Sequence, residues 1–326
     1  MVKEVLDRLI GAQTTGILLA HIQERKYLIP HYKRGVVNAD DFKGIIYMAD
    51  GRMPLGGLSD RLRGMVSLYN YCKLHNIPYA INFISPFSLT DYLEPNEYDW
   101  LISPEHISYV KGVSKPIYIR PYSIKDDIDT SSYVQKRLAC LGRFQQLHVY
   151  SNITMQKELF STSFKELFKP SDDLQKEIDK NKVRIGERYI SISFRFMALL
   201  GDFKDLDSKP LPEDEKKALI DKCISTIERI KIENKGINKV LVTSDSAFFI
   251  ATVTKQLDYV VVMSGEIAHM DHANGGKAHL RTFVDMMMIA GAEKAYVYAT
   301  GPMYRNSSFA ETAALIGGVD FNKIIE

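Results

Sequence analysis

Short apolar runs of four to six residues alternate along this chain with longer stretches in which apolar positions recur every three or four residues. The short runs predict strands at Gly44–Met48, Tyr79–Phe83, Pro116–Arg120 and Leu147–Ser151, then at Tyr189–Phe194, Val240–Thr243, Tyr259–Met263 and Lys294–Ala299. The periodic stretches predict helices at Leu58–His75, Glu213–Ile232 and Leu280–Ala290. The second is amphipathic, with Leu219, Ile220, Cys223, Ile224, Ile227 and Ile230 on one side and charge on the other. Strand and helix in regular alternation predict an α/β protein with parallel sheets wound on both faces. No repeat of fixed period and no low-complexity tract interrupts the pattern.

The alternation breaks once, in the polar stretch Lys169–Lys182, where Pro170 and Ser171 precede a new helical pattern. That break predicts two domains, residues 1–170 and 171–326. Tandem α/β domains leave a cleft, and ligands in such sheets bind beyond the C-terminal strand ends. With 326 residues the chain is long enough for two cores, and its formal net charge of +2 gives no long-range field favouring nucleic acid. Cys72, Cys140 and Cys223 form no Cys-x-x-Cys pair and read as free thiols of a cytoplasmic protein. Early acids among the first apolar residues argue against a signal peptide, and no apolar run reaches the ~20 residues that span a bilayer. Peripheral association with a membrane through a partner stays compatible with this pattern.

Three segments could carry chemistry. Asn306–Glu311 lies between an apolar run and a helix-like run, which places Ser307, Ser308 and Phe309 at a helix start, a site for an anion. Ser308-x-x-Glu311 also reads as a capping box that needs no ligand. Arg195 stands where the strand Tyr189–Phe194 ends; its planar fork suits a phosphate or, equally, a salt bridge. Asp245 and Ser246 follow the strand Val240–Thr243, where Asp245 could accept from a ribose hydroxyl or a base N–H, or Ser244 or Asp245 could cap the next helix.

In the first half, Gly56 and Gly57 lead into Asp60, Arg61 and Arg63 after a strand, without the lysine of a Walker loop and without the dinucleotide fingerprint. His269, Asp271 and His272, followed by His279, have metal-ligand chemistry, but the intervening loop predicts a polar segment with His272 or Lys277 near a ligand rather than a metal site.

Taken in order, these segments resemble the fucosyltransferase superfamily. The turn Gly57-Leu58-Ser59-Asp60-Arg61-Leu62 is similar to the family's Gly-Leu-Gly-Asn-Arg-Leu start. His148–Asn152 and Leu167–Ser171 resemble its interdomain stretch, and Ser193-Phe194-Arg195 falls on its His-x-Arg-Arg motif. Ser244-Asp245-Ser246 falls on its Asp motif, and Asp285–Met288 through Asn306–Phe309 resembles its last motif. The resemblance begins at about Gly44. It implies two Rossmann-like domains in the GT-B arrangement, facing a cleft, and inverting transfer of fucose from GDP-fucose to a glycan acceptor without a required metal or other cofactor.

By the same resemblance Arg195 holds the diphosphate and Asp245 the guanosine. Ser246, Ser307, Ser308, Phe309 and His272 complete the donor side, and Gly56, Gly57, Asp60 and Arg61 lie on the acceptor side, with Asp60 the candidate proton acceptor. The family's histidine is Ser193 here, its second arginine is Phe196, and Gly201-Asp202 stands several residues beyond the family's acid. Those departures keep a non-catalytic nucleotide- or glycan-binding relative as the alternative. A metal-dependent hydrolase at His269, Asp271, His272 and His279 is a third, weaker reading.

Overall fold

The structure is a computed structural model that describes residues 2–38, 40–119, 130–202, 209–265 and 279–326. The chain divides into two units, Met1–Lys169 and Pro170–Glu326.

The first unit opens with α1 (Val2–Ile10) and α2 (Ala12–Gln23), which runs on into a π-helical turn, Glu24–Leu28. Then come β1 (Gly44–Ala49), α3 (Leu58–Leu74), β2 (Tyr79–Phe83), β3 (Leu93–Pro95) and β4 (Ser114–Ile119). It closes with α4 (Thr130–Leu138), β5 (Gln146–Ser151), α5 (Phe160–Leu167) and β6 (Phe168–Pro170). Four strands form a parallel sheet in the order β2-β1-β5-β4, and β3 pairs separately with β6. Every residue of β1 and β5 is buried, as expected of strands covered on both faces. Helix α3 lies directly on this sheet, because a β-carbon at Gly64 would run into the Ser151 carbonyl and only glycine lets the backbones meet. At the other edge, Glu24 is buried in the π-helical turn and accepts the Tyr118 N–H at 2.6 Å and the Arg137 guanidinium. That carboxylate fastens the N-terminal helices to β4 and α4.

The second unit runs α6 (Asp172–Ile185), β7 (Tyr189–Phe194), α7 (Glu213–Glu233), β8 (Lys239–Ser244), α8 (Ala247–Gln256) and β9 (Val260–Val261). It ends with α9 (Leu280–Ala290), β10 (Lys294–Ala299), α10 (Phe309–Gly317) and β11 (Asp320–Ile325). The sheet is parallel in the order β11-β10-β7-β8-β9. Strand alternation sorts the central strand β7 between two layers. Ile190, Ile192 and Phe194 join the core built with α7 and α8, where Ile220, Ile227 and Phe249 pack. Tyr189 points the other way and donates to the Met288 carbonyl of α9 at 2.6 Å.

The eight strands read from the pattern are present, although β9 is shorter than expected and pairs only through Val260 and Val261. The pattern does not mark strands β3, β6 and β11. β11 carries Asp320, Asn322 and Lys323 and is half-exposed along its length, so it lacks the apolar run that marks a buried strand.

Candidate functional site

From β7 the chain passes to β8 and β9 on one side of the sheet, then crosses to β10 and β11 on the other. The order therefore reverses between β7 and β10, and the C-terminal end of such a switch is where a parallel α/β sheet leaves room for a ligand. Arg195 follows β7 directly, and the loop Thr300–Ser308 follows β10, which is paired with β7 up to Tyr298 and Phe194. The loop is tied to the arginine by its backbone, since the Tyr304 N–H donates to the Arg195 carbonyl at 3.2 Å. Met303 roots the same loop in the core beside Cys223.

The Arg195 side chain is 30% exposed, and its Nε lies 3.3 Å from Oδ2 of Asp245. Asp245 is buried and does more than balance charge. Its Oδ1 accepts the Phe196 N–H at 2.9 Å and its Oδ2 the Met197 N–H at 2.7 Å. Met197 has φ of 56°, a left-handed conformation that a residue with a β-carbon adopts only when held. Asp245 is that restraint. Burial pushes its pKa up, while Arg195 and the Phe196 and Met197 N–H groups partly offset the rise. The carboxylate that sequence pattern assigned to a nucleoside is here engaged by the loop that presents Arg195.

The neighbouring cap belongs to Ser246, whose Oγ accepts the Phe249 N–H at 3.0 Å and donates to Asp202 at 2.9 Å. Asp202 also accepts the Phe248 N–H at 2.7 Å. Asp202 thus closes the start of α8, a role that sequence spacing did not assign to it. The signal that could have found it is the uncapped donor set of a helix beginning at Ala247.

Ser307, Ser308 and Phe309 are half-buried at the start of α10. The expected capping box is not formed by Ser308: it occupies the cap position with φ of −97° and ψ of 1°, and its hydroxyl makes no capping bond. In the ordinary cap the residue is extended and its hydroxyl turns back onto the helix. Ser308 instead contributes its carbonyl to the Thr312 N–H at 2.9 Å. Two of the residues that depart from the resembled pattern, Ser193 and Phe196, are engaged within the unit. Ser193 pairs its hydroxyl with Thr243 at 2.7 Å, and Phe196 is fully buried against Phe249, its ring centroid 4.8 Å away.

Behind α10, α9 carries a buried ion pair in which Arg281 Nε reaches both oxygens of Asp285 at 2.9 Å. Burial pushes the Asp285 pKa up to about 6 despite the arginine. His279 is buried at the start of the same helix. His272, with His269 and Asp271, lies outside the described residues. Among the described residues no group of three or more His, Cys, Asp or Glu side chains is arranged to hold a metal ion.

In the first unit, Gly56 has φ of 79°, and a β-carbon there would run into the Asp60 carboxylate. Asp60 accepts the Gly57 N–H at 3.3 Å and the Arg63 guanidinium. Arg61 is buried, donating to the Gly56 carbonyl at 3.1 Å and the Ser85 carbonyl at 2.6 Å. Asp60 and Arg63 are therefore turned onto their own turn, and Arg61 ties that turn to the loop after β2.

Several solved structures share this architecture. A mutant of FUT1 from Arabidopsis thaliana, in complex with GDP, superposes with a TM-score of 0.54 at 13% identity, over 98% of this chain and 76% of that one. Fucosyltransferase NodZ from Bradyrhizobium superposes with a TM-score of 0.55 at 15% identity, over 85% and 93% of the two chains. The apo form of POFUT1 gives 0.50 at 10% identity, over 88% and 99%. The chain has the fold of the fucosyltransferases. No protein-family model and no curated protein sequence matches it. At these identities the likeness concerns fold alone.

Proposed function

We propose that the protein is an inverting glycosyltransferase that moves fucose from GDP-fucose to a hydroxyl of a glycan acceptor, without a metal. The observation that carries the reading is Arg195, set at the end of the central strand beside the switch point and held from two sides, by Asp245 and by the Tyr304 backbone. Structures of the same fold include NodZ alpha-1,6-fucosyltransferase soaked with GDP-fucose and co-crystallised with GDP.

In the proposed reaction an acceptor oxygen attacks the anomeric carbon as the bond from that carbon to the diphosphate oxygen breaks. The sugar is transferred with inversion, GDP departs, and the acceptor proton passes to a base. Charge builds on the departing diphosphate, and donors already aimed at it stabilise that charge most effectively. Arg195 supplies a guanidinium; the start of α10 supplies backbone N–H groups, the positive helix end and the Ser307 and Ser308 hydroxyls. Asp245 acts through Arg195, and Ser246 through α8 and Asp202. Asp60 is the candidate to take the proton on the acceptor side, with Gly56, Gly57 and Arg61 shaping its turn. For that step it must exchange Arg63 for the acceptor hydroxyl. The free thiols of Cys72, Cys140 and Cys223 fit a cytoplasmic enzyme.

A non-catalytic relative is the second reading, favoured by Ser193 and Phe196, which stand where a histidine and a second arginine would act. Incubation with GDP-fucose in EDTA separates the two. Release of GDP, accelerated by an accepting glycan, supports the transferase; GDP binding with no release under any acceptor supports the relative; and absence of GDP binding removes the transferase and any relative that binds this nucleotide.

A further inference from the structure

The N-terminal segment is unlike the rest of the surface. Eight of the seventeen large apolar side chains exposed among the described residues lie between Leu9 and Val37. Leu18 and Ile22 stand one turn apart on α2, and Val36, at 92% exposed, is among the barest. Exposed cations are interleaved with them: Arg8, Arg25, Lys26, Lys33 and Arg34. The acid of this stretch, Glu24, is withdrawn into the protein by Arg137 and the Tyr118 N–H. Between Arg8 and Val37 the exposed charged side chains are all cations, interleaved with apolar and neutral polar ones, and the part-buried Asp7 and the exposed Asp40 stand at the two ends of the stretch. In a chain whose formal net charge is only +2, this is a local device rather than a general charge.

Apolar side chains mixed with lysine and arginine on one helical face, without acids, match a leaflet that offers hydrocarbon just beneath anionic headgroups. A protein partner of matching shape would need an acidic rim around an apolar centre; a bilayer of anionic lipid has that layering everywhere. We propose that this segment is a docking surface for anionic membrane. No helix among the described residues is long and apolar enough to cross a bilayer, so the segment would lie in the interface, with Leu18, Ile22 and Ile29 inserted and Arg25 and Lys26 at the headgroups. Glu24 makes the attachment firm, because it couples the docking helices to β4. The proposal does not depend on the donor or on the reaction.

The full chain is floated with phosphatidylcholine vesicles and with vesicles containing about 30% phosphatidylglycerol, at low and at physiological salt. Binding to the anionic vesicles, weakened by salt and little seen on the neutral ones, is expected. Each cation near an anionic leaflet raises partitioning about fivefold, so the double variant Arg25→Gln and Lys26→Gln should lose about 25-fold. The double variant Leu18→Ser and Ile22→Ser should also float poorly while remaining folded with at most a modest drop in melting temperature, since both side chains are about half exposed. Equal binding to neutral and anionic vesicles, unchanged binding in both variants, or no binding at all overturns the proposal. Self-association in light scattering without flotation overturns it in favour of a second copy of the chain.

Discussion

The two units share a plan, a parallel sheet whose first core strand lies inside and whose order reverses beside it, yet they treat the polar groups at the strand ends differently. In the first unit most of these groups bond to the chain itself, although Asp60 and Arg52, in the stretch after β1, keep 29% and 28% of their side chains exposed. Asp60 and Arg63 close their own helix start, Arg61 ties down two carbonyls, and within β5 His148 is sealed between Tyr32 and Gln146 at 2.6 and 3.0 Å. In the second unit Arg195 stays 30% exposed, a serine at a helix start does not cap it, and the loop that follows Arg195 contains a left-handed methionine. Among the described residues, only in the second unit do a left-handed residue and a part-exposed arginine stand next to each other in one loop, at Met197 and Arg195. The contrast assigns the proposed phosphate-binding half of the chemistry to the second unit.

The largest expected effect tests the buried pair behind that site. Arg281→Met leaves Asp285 buried without its counter-charge and should cost about 3–5 kcal/mol near neutral pH. Burial already raises the Asp285 pKa to about 6, above its unfolded value, so its ionised form is the one that weakens the fold. Losing the arginine raises that pKa further. Melting temperatures should therefore show a larger loss for Arg281→Met at about pH 8 than at about pH 5; an equal loss at both would remove the ion pair from the account.

His148 gives the opposite sign in the first unit. Burial lowers its pKa to about 3, so the unfolded chain takes up a proton that the folded one refuses. Stability from this group is whole above about pH 6.5 and should fall by roughly 3 kcal/mol by about pH 4.5. His148→Gln, with donor and acceptor for Tyr32 and Gln146, should flatten that acid slope in denaturant titrations whatever it costs at neutral pH. An unchanged slope would assign the acid sensitivity elsewhere.

Arg195→Ala should lower turnover ~100-fold or more, as expected for a donor aimed at developing charge, and should also lower the melting temperature, because it leaves the buried Asp245 without its counter-charge. Near-normal turnover rejects its role. The smallest effect separates two serines. Ser246→Ala should cost about 1 kcal/mol, because Ser246 caps α8, whereas Ser308→Ala should leave stability within a few tenths and weaken GDP binding. A stability loss at Ser308 equal to that at Ser246 would mean that its hydroxyl serves the helix after all.

The core strands are legible in the chain because full burial on both faces writes a continuous apolar run, as in Gly44–Ala49 and Tyr189–Phe194. The edge strand Asp320–Ile325 is not, because its half-exposed residues leave the pattern mixed, whereas the edge strand Tyr79–Phe83 is fully buried and reads clearly. At the site, residue type locates Arg195 and the serine pair but does not show what each side chain touches. Asp245 reads as ligand-binding or capping from its position, and it does a third thing, fixing the backbone of Phe196 and Met197. Asp202 reaches the start of α8 from far back in the chain, a contact no local pattern encodes.

The central claim is that the second unit binds the diphosphate of a nucleotide through Arg195 and the start of α10. Calorimetric titration of GDP in EDTA, into the wild type and into Arg195→Ala, tests it directly. Saturable one-to-one binding is predicted in the wild type, with an affinity at least about tenfold weaker in the variant. Equal affinity in both proteins, or no heat of binding at millimolar GDP, would contradict it.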